Sequence, residues 1–166
     1  MSNIRIFVSH RIDIDSETVD TPVYFPVRCG AVYDEEGNSE IQGDDTGDNI
    51  SKLRMSFCEF TVQYWAWKNV DADYYGLCHY RRYLSFSDKH YKNTAFNMVR
   101  ELRLTAHEKK KYHLDDTKKI HSVVQKYDMI IPGLAKASEM SYNRAEVETL
   151  REMWESYNGV YFEQGI

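Results

Sequence analysis

The sequence of 166 residues has few cysteines and no long apolar run, and each shortage excludes a class of protein. Its cysteines, Cys29, Cys58 and Cys78, form neither a CxxC pair nor an even set, which argues against a zinc site or a disulfide framework. No stretch approaches the ~20 apolar residues of a membrane-spanning helix, and the first ten residues lack a secretory signal. We therefore expect a cytoplasmic protein with reduced thiols.

The chain also lacks a surplus of positive charge. Its 21 Lys and Arg residues against 26 Asp and Glu residues give a net charge of -5, which argues against general nucleic-acid binding because phosphates must be neutralised by cationic side chains. The P-loop, the nucleophile elbow, the G-x-G-x-x-G fingerprint and the H-E-x-x-H zinc motif are all missing. The composition of the whole sequence, 42% hydrophobic and 28% charged, predicts one globular domain over residues 1–166.

The pattern along the chain predicts alternating strands and helices. Residues 4–9 form a β-branched run typical of a buried strand, and residues 74–80 are predicted to form a second strand. Between them, residues 34–51 are predicted to be a long loop. A helix is expected from the capping pattern of Ser56 and Glu59 to Asn69, with most of its aromatic side chains buried. This order indicates an α/β domain with parallel strands.

Other segments are predicted from shorter signals. Two prolines frame residues 23–33, which are either a strand or a turn followed by a short helix. Residues 84–119 are expected to be a loop with a surface helix. Asp116 or Thr117 then caps a helix with an apolar stripe, residues 128–132 form a third strand, and residues 143–158 form a further amphipathic helix.

The acidic loop "GDDTGDNIS", residues 43–51, is the first candidate site. Asp44, Asp45, Asp48 and Asn49 offer oxygen ligands of the kind that Mg²⁺, Mn²⁺ or Ca²⁺ prefer. Asp, Asn and Gly also occur in solvated turns, since they tolerate left-handed backbone conformations. Taken alone, the loop favours the turn.

The string "HYRRY", residues 79–83, is the second candidate because it ends a predicted strand, where ligands bind in open α/β sheets. Guanidinium groups suit a diphosphate, since they bind phosphate oxygens through two parallel hydrogen bonds. Arg81 and Arg82 could instead pair with the acidic loop or point to water, and His79 is a base, a hydrogen-bond donor or a core residue. Asp71 and Asp73 precede the strand and are interpreted as a turn rather than a D-x-D metal motif.

Three strings, "GDDTGDNIS", "SFCEFTVQYWAWKNVDADYYGLCHYRRYL" and "KYDMIIP", together resemble a bacterial domain family found in capsular and exopolysaccharide gene products. This glycosyltransferase-like family has long been called a domain of unknown function. The resemblance implies a single α/β domain of the GT-A kind, shortened at its C-terminus. It also implies a hexosyltransferase that moves a sugar from a nucleotide-diphospho-sugar to a glycan acceptor in capsule, exopolysaccharide or lipopolysaccharide biosynthesis, in the cytoplasm or at the inner face of the membrane.

The resemblance also implies which residues form the site. The catalytic candidates are Asp44, Asp45, Asp48 and His79. The substrate-binding candidates are Asn49, Glu59, Tyr64, Trp65, Arg81, Arg82 and Tyr83. Arg81 and Arg82 are expected to face the acidic loop across one cleft. No residue is assigned to a metal, and a need for Mn²⁺ or Mg²⁺ stays open. The alternative function is a non-catalytic nucleotide- or carbohydrate-binding module, such as a truncated transferase paralogue.

Overall fold

The computed structural model describes residues 2–14, 16–35, 40–92 and 98–133. By its internal contacts the chain divides into two compact units, the first formed by Met1–His90 and Glu101–Ile131 and the second by Tyr91–Arg100 and Pro132–Ile166. All strands and helices named below belong to the first unit. The helix predicted over residues 143–158 lies outside the described residues, and the single domain over residues 1–166 stays a prediction.

A parallel four-stranded sheet forms the centre of the first unit. Its strands are β1 (Ile4–His10), β2 (Tyr24–Arg28), β3 (Gln42–Gly43) and β4 (Tyr74–His79), in the order β3-β2-β1-β4. The strands predicted over residues 4–9 and 74–80 are confirmed as β1 and β4. The ambiguous segment of residues 23–33 forms β2 followed by a short 3-10 helix, Ala31–Tyr33. Because all four strands run the same way, their carboxyl ends meet at one edge, here called the carboxyl edge.

The long connection from β3 to β4 contains a 3-10 helix (Ser51–Leu53), α1 (Arg54–Phe57) and α2 (Phe60–Asn69). The end of the predicted helix at Asn69 is confirmed, but the predicted capping box is wrong. Ser56 lies inside α1, and Glu59 makes no capping hydrogen bond at the start of α2. Cys58, with a φ of 46°, interrupts the helical backbone between α1 and α2, so the predicted single helix is divided there.

One face of the sheet packs against α2. Phe7, Val27 and Cys29 from the sheet side form a buried cluster with Val62, Trp65 and Ala66 from α2. The expectation that most aromatic side chains of this helix are buried is wrong, because Phe60 and Trp67 are 62% and 63% exposed. At about 100° per residue these two positions fall on the side of the helix opposite Trp65, away from the sheet.

The remaining helices are α3 (Ala106–Lys111) and α4 (Thr117–Val124). The predicted cap of α4 is confirmed, because the Asp116 carboxylate accepts the backbone N–H of Lys119 at 2.9 Å. The third strand predicted near residues 128–132 is wrong: in the described part of the chain these residues pair with no neighbour, and Met129 and Ile131 are exposed. An apolar run becomes a strand only where another strand offers hydrogen-bond partners. No helix that the structure describes has the length and apolar character needed to span a membrane.

Candidate functional site

The direction in which strands are added to the sheet reverses between β1 and β4. From β1 the chain builds β2 and β3 outward on one side, and then crosses to β4 on the other side of β1. In open parallel sheets, ligands bind outside the carboxyl ends of the strands at such a reversal. Residues 10–13, at the end of β1 and just after it, and residues 79–82, at the end of β4 and just after it, lie there. We call this part of the carboxyl edge the switch-point edge.

A tight turn of residues 79–82, here called the arginine turn, holds Arg81 and Arg82 at the switch-point edge. The backbone N–H of Arg82 donates to the His79 carbonyl at 2.8 Å, and the N–H of Arg81 donates to His79 Nδ1 at 3.2 Å. The chain is therefore not extended beyond β4, and the alternation of side chains along this strand ends at His79. Both arginine side chains are exposed, with the Arg81 guanidinium 5.0 Å from the centre of the Tyr80 ring.

His79 is engaged through both of its ring nitrogens. Because Nδ1 accepts the Arg81 N–H, the neutral ring carries its proton on Nε2, which lies 3.5 Å from Glu59 Oε1. Burial lowers the pKa of His79, and the Glu59 carboxylate opposes this shift. A neutral His79 thus links the start of α2 to the arginine turn, a geometry that suits positioning better than proton abstraction.

Arg11, which is paired with Asp13, adds a third arginine to the same edge. Arg11 Nε donates to Asp13 Oδ1 at 2.7 Å, and Arg11 Nη2 donates to Asp13 Oδ2. The Asp13 hydrogen bond and charge raise the pKa of Arg11, and the Tyr80 hydroxyl adds to that effect. These two residues are absent from the sequence-based prediction. The signal was present, since "SHRID" ends a predicted strand just as "HYRRY" does.

An open pocket of about 560 Å³ lies beside Arg11, at the carboxyl ends of β1 and β2. Its volume falls within the ~300–1,000 Å³ typical of small-molecule sites. The half-exposed Tyr33 ring and Ile41 give it apolar surface, while Arg28 pairs with Asp34 in its wall. The pocket therefore offers both apolar and polar contacts next to the switch-point edge.

Asp44 is buried inside the protein rather than exposed in the loop. Its side chain is 0% exposed, and its two carboxylate oxygens accept four hydrogen bonds. The donors are the N–H groups of Gly30 and Ala31, both at 2.9 Å, and the hydroxyls of Ser51 and Thr61, both at 2.6 Å. With each oxygen accepting two hydrogen bonds, this carboxylate has a clear structural role, and its catalytic role stays a prediction that the geometry does not favour.

The rest of the acidic loop lies along α2. Asp48 Oδ1 accepts the Tyr64 hydroxyl at 3.1 Å, its Oδ2 lies 4.0 Å from Lys68 Nζ, and its N–H donates to Asn69. Asn69 ends α2 shortly before β4 begins, so this helix end lies toward the amino ends of the parallel strands. The ten residues of α2 span about 15 Å. The loop therefore does not face the arginine turn across one cleft as predicted.

The other predicted site residues differ in their surroundings. Asp45 is exposed, and its carbonyl accepts the Asn49 side-chain amide at 3.0 Å. Trp65 is buried, with its indole N–H donating to Thr46 Oγ1 at 3.0 Å. The Tyr83 ring packs edge-on against Tyr24, and its buried hydroxyl has no hydrogen-bond partner among the described residues. The structure thus gathers His79, Arg81, Arg82 and Glu59 at the switch-point edge, whereas Asp44 is buried after the end of β3 and Asp48 lies along α2.

A metal site finds little support in the donor chemistry of the switch-point edge. His79, at the end of β4, is engaged at both ring nitrogens. The guanidinium groups of Arg81 and Arg82, which follow it, repel a cation. Within the described ranges, no three His, Cys, Asp or Glu side chains gather as metal ligands. The residues present therefore suit an anion better than a divalent cation.

Fold and site together define an α/β protein with a parallel sheet and an arginine-rich edge at its switch point. The structure is similar to that of WbbM, described as a bifunctional glycosyltransferase and solved in its apo form, with a TM-score of 0.67 and 32% identity. The match covers 76% of this chain and 22% of that protein, so the chain spans about a fifth of its length.

The family follows from a separate comparison. Residues 5–159 match the domain of unknown function DUF4422, and the chain belongs to this family. No curated protein matches the chain. The expected α/β fold with a parallel sheet is confirmed, and both matches agree with the predicted resemblance to a glycosyltransferase-like family of unknown function.

Proposed function

We propose that this chain is a glycosyltransferase domain that takes a sugar from a nucleotide-diphospho-sugar and passes it to a glycan acceptor. The observation that carries this proposal is the exposed arginine turn at the switch point of a fold similar to that of a glycosyltransferase. A hexosyl donor and an acceptor in bacterial capsule, exopolysaccharide or lipopolysaccharide synthesis are the specific form of the proposal. The cytoplasmic face of the membrane is the corresponding place of action.

The donor is proposed to lie across the carboxyl edge. Arg81 and Arg82 bind the diphosphate, because guanidinium groups match its oxygens in charge and geometry. The nucleoside occupies the pocket of about 560 Å³ beside Arg11, where the Tyr33 ring offers an apolar face. This arrangement places the sugar toward the end of β4 and Glu59.

Catalysis in this proposal depends on stabilising the leaving diphosphate. Negative charge grows on that group as the sugar departs, and fixed cationic side chains lower the energy of the transition state. His79 holds the arginine turn in place. Glu59 is 45% exposed beside His79 and is the better-placed carboxylate to orient an acceptor hydroxyl, whereas Asp45 and Asp48 are candidates for contacts farther along the acceptor. The reaction proposed here needs neither Mn²⁺ nor Mg²⁺ at this edge.

The proposal is tested by nucleoside diphosphate binding to Arg81→Ala and Arg82→Ala. Each charged hydrogen bond contributes about 1.5–3 kcal/mol, so calorimetry should show affinities about 10- to 100-fold weaker. Lys68→Ala is the control, since this cation lies along α2 near Asp48. Unchanged binding in both arginine variants would rule out the diphosphate role.

A second candidate is a nucleotide- or carbohydrate-binding module without catalysis. It is favoured by one observation, that the chain corresponds to 22% of the bifunctional glycosyltransferase to which it is similar. A panel of nucleotide sugars, assayed for hydrolysis and transfer with and without Mn²⁺, separates the two functions. Saturable binding with no turnover would favour the module.

A further inference from the structure

Two arginine–aspartate pairs line the pocket at the carboxyl edge, and they differ in exposure. The side chains of Arg11 and Asp13 are 45% and 53% exposed, whereas those of Arg28 and Asp34 are 14% and 12% exposed. Arg28 also donates from Nε to the Ile41 carbonyl at 3.0 Å, which fixes it further. Both are ion pairs between a guanidinium group and a carboxylate. Only the Arg11–Asp13 pair is exposed enough for an anion from solvent to take the place of its carboxylate.

The Arg11–Asp13 pair has the geometry of anion recognition. Nε and Nη2 of Arg11 each donate to a different oxygen of Asp13. A phosphate group binds a guanidinium through the same two parallel hydrogen bonds. The Asp13 carboxylate therefore occupies the donors that a phosphate would use.

Displacing the Asp13 carboxylate from Arg11 by another anion costs little free energy. Exposed ion pairs contribute only about 0–1 kcal/mol, because water solvates both partners when they separate. Asp13 also keeps a second cationic neighbour, since Arg54 interacts with it electrostatically. A Cβ on Gly30 would lie 2.1 Å from Arg54 Cδ, so this glycine, with a φ of 71°, leaves room for the Arg54 stem.

We propose that Asp13 is an internal stand-in for a ligand phosphate and that Arg11 is a third diphosphate-binding arginine. On binding, a nucleoside diphosphate displaces the Asp13 carboxylate from Arg11, and Arg11 then acts with Arg81 and Arg82. Asp13 thereby competes with the ligand and weakens its binding to the site. This inference rests on the proposed function, because it takes a nucleoside diphosphate as the ligand.

The test is calorimetric binding of uridine and guanosine diphosphates, and of pyrophosphate, to wild type, Asp13→Asn, Arg11→Gln and the double variant. Removing the competing carboxylate should tighten binding about two- to fivefold, and Arg11→Gln should weaken it about tenfold or more. The double variant should bind like Arg11→Gln, because Asp13 acts only through Arg11. A double-mutant cycle of this kind isolates the coupling between the two residues.

Two controls separate this effect from general changes in charge and fold. Asp71→Asn removes the same charge at an exposed turn before β4 and should leave the affinity unchanged. Asp34→Asn should lower the free energy of unfolding without tightening binding, since the side chains of its pair are only 14% and 12% exposed. Equal affinities of wild type and Asp13→Asn, or an equal gain with Asp71→Asn, would overturn the inference alone. If neither wild type nor Asp13→Asn binds any of the three probes, the proposed function fails as well.

Discussion

At the scale of single residues, His79 connects the start of α2 to the arginine turn through its two ring nitrogens. Nδ1 accepts the Arg81 N–H, and Nε2 faces the Glu59 carboxylate at 3.5 Å. Protonation would turn Nδ1 from an acceptor into a donor and break the contact with the turn. The position of Arg81 therefore depends on a neutral imidazole.

The first prediction concerns the pH dependence of stability. Burial lowers the pKa of His79 in the folded protein below its ordinary value of 6.5, so the folded state resists protonation. The stabilising contribution is complete above that value and is lost as the pH falls through the lowered pKa. Urea unfolding at a series of pH values should show this loss in wild type and a smaller one in His79→Asn, whose amide oxygen can still accept the Arg81 N–H.

The variant His90→Asn, at an exposed position, controls for the loss of one imidazole. It should keep the pH dependence of wild type. An identical pH dependence in wild type and His79→Asn would contradict the assigned tautomer and its role in the turn.

At the scale of secondary-structure elements, Asp44 joins the end of β3 to three neighbours. It binds the backbone that leads into the first 3-10 helix, the Ser51 hydroxyl in the second, and the Thr61 hydroxyl in α2. These elements surround the carboxyl edge. A buried carboxylate with all of its hydrogen bonds satisfied can therefore fix the shape of this edge without contacting a ligand.

The second prediction is that Asp44→Asn destabilises the fold. The asparagine NH₂ group cannot accept, so the backbone N–H of Gly30 or of Ala31 that it faces loses its acceptor, and at least one strong hydrogen bond is lost. We expect the free energy of unfolding in urea to fall by about 2–4 kcal/mol. Asp45→Asn, at the exposed neighbouring position, should change it by no more than about 0.5 kcal/mol. Equal stability of both variants would show that the Asp44 network contributes little.

Local sequence patterns predicted a strand or a helix end correctly where the residues of that segment alone determine its structure. The runs that became β1 and β4 are β-branched or aromatic, and the Asp116 cap needs only its own helix. The Ser56 capping pattern failed because Cys58 adopts a positive φ that no local rule anticipates. The burial of Asp44 could not be predicted from the sequence either, since aspartate is rarely buried fully unless its charge is paired or hydrogen-bonded.

The position of the candidate site was predicted in part. The rule that ligands bind at the carboxyl ends of strands pointed to residues 79–83, which the structure places at the end of β4, and the same rule points to Arg11 after β1. The binding roles of these residues stay predictions. The expected contact between the acidic loop and the arginine turn failed for a geometric reason. Residues close in sequence to α2 can lie at either of its ends, and these ends are about 15 Å apart.

At the scale of the whole molecule, the charge distribution matters more than its sum. The net charge is -5, yet Arg11, Arg81 and Arg82 gather at the switch-point edge. A bound diphosphate would contact the ends of both β1 and β4, which pair along most of their length. Ligand binding at this edge should therefore stabilise the sheet as one cooperative unit.

The last prediction follows from this coupling. A ligand that binds only the folded state, at 100 times its dissociation constant, adds about 2.7 kcal/mol to the free energy of unfolding. For a chain of this size, that corresponds to a rise in Tm of roughly 5–10 °C. Differential scanning calorimetry with a nucleoside diphosphate should show this rise in wild type and in Asp71→Asn. The Arg81→Ala/Arg82→Ala variant should show almost none at the same ligand concentration, because its dissociation constant is much larger. An equal rise in that variant would place the binding site away from the switch-point edge.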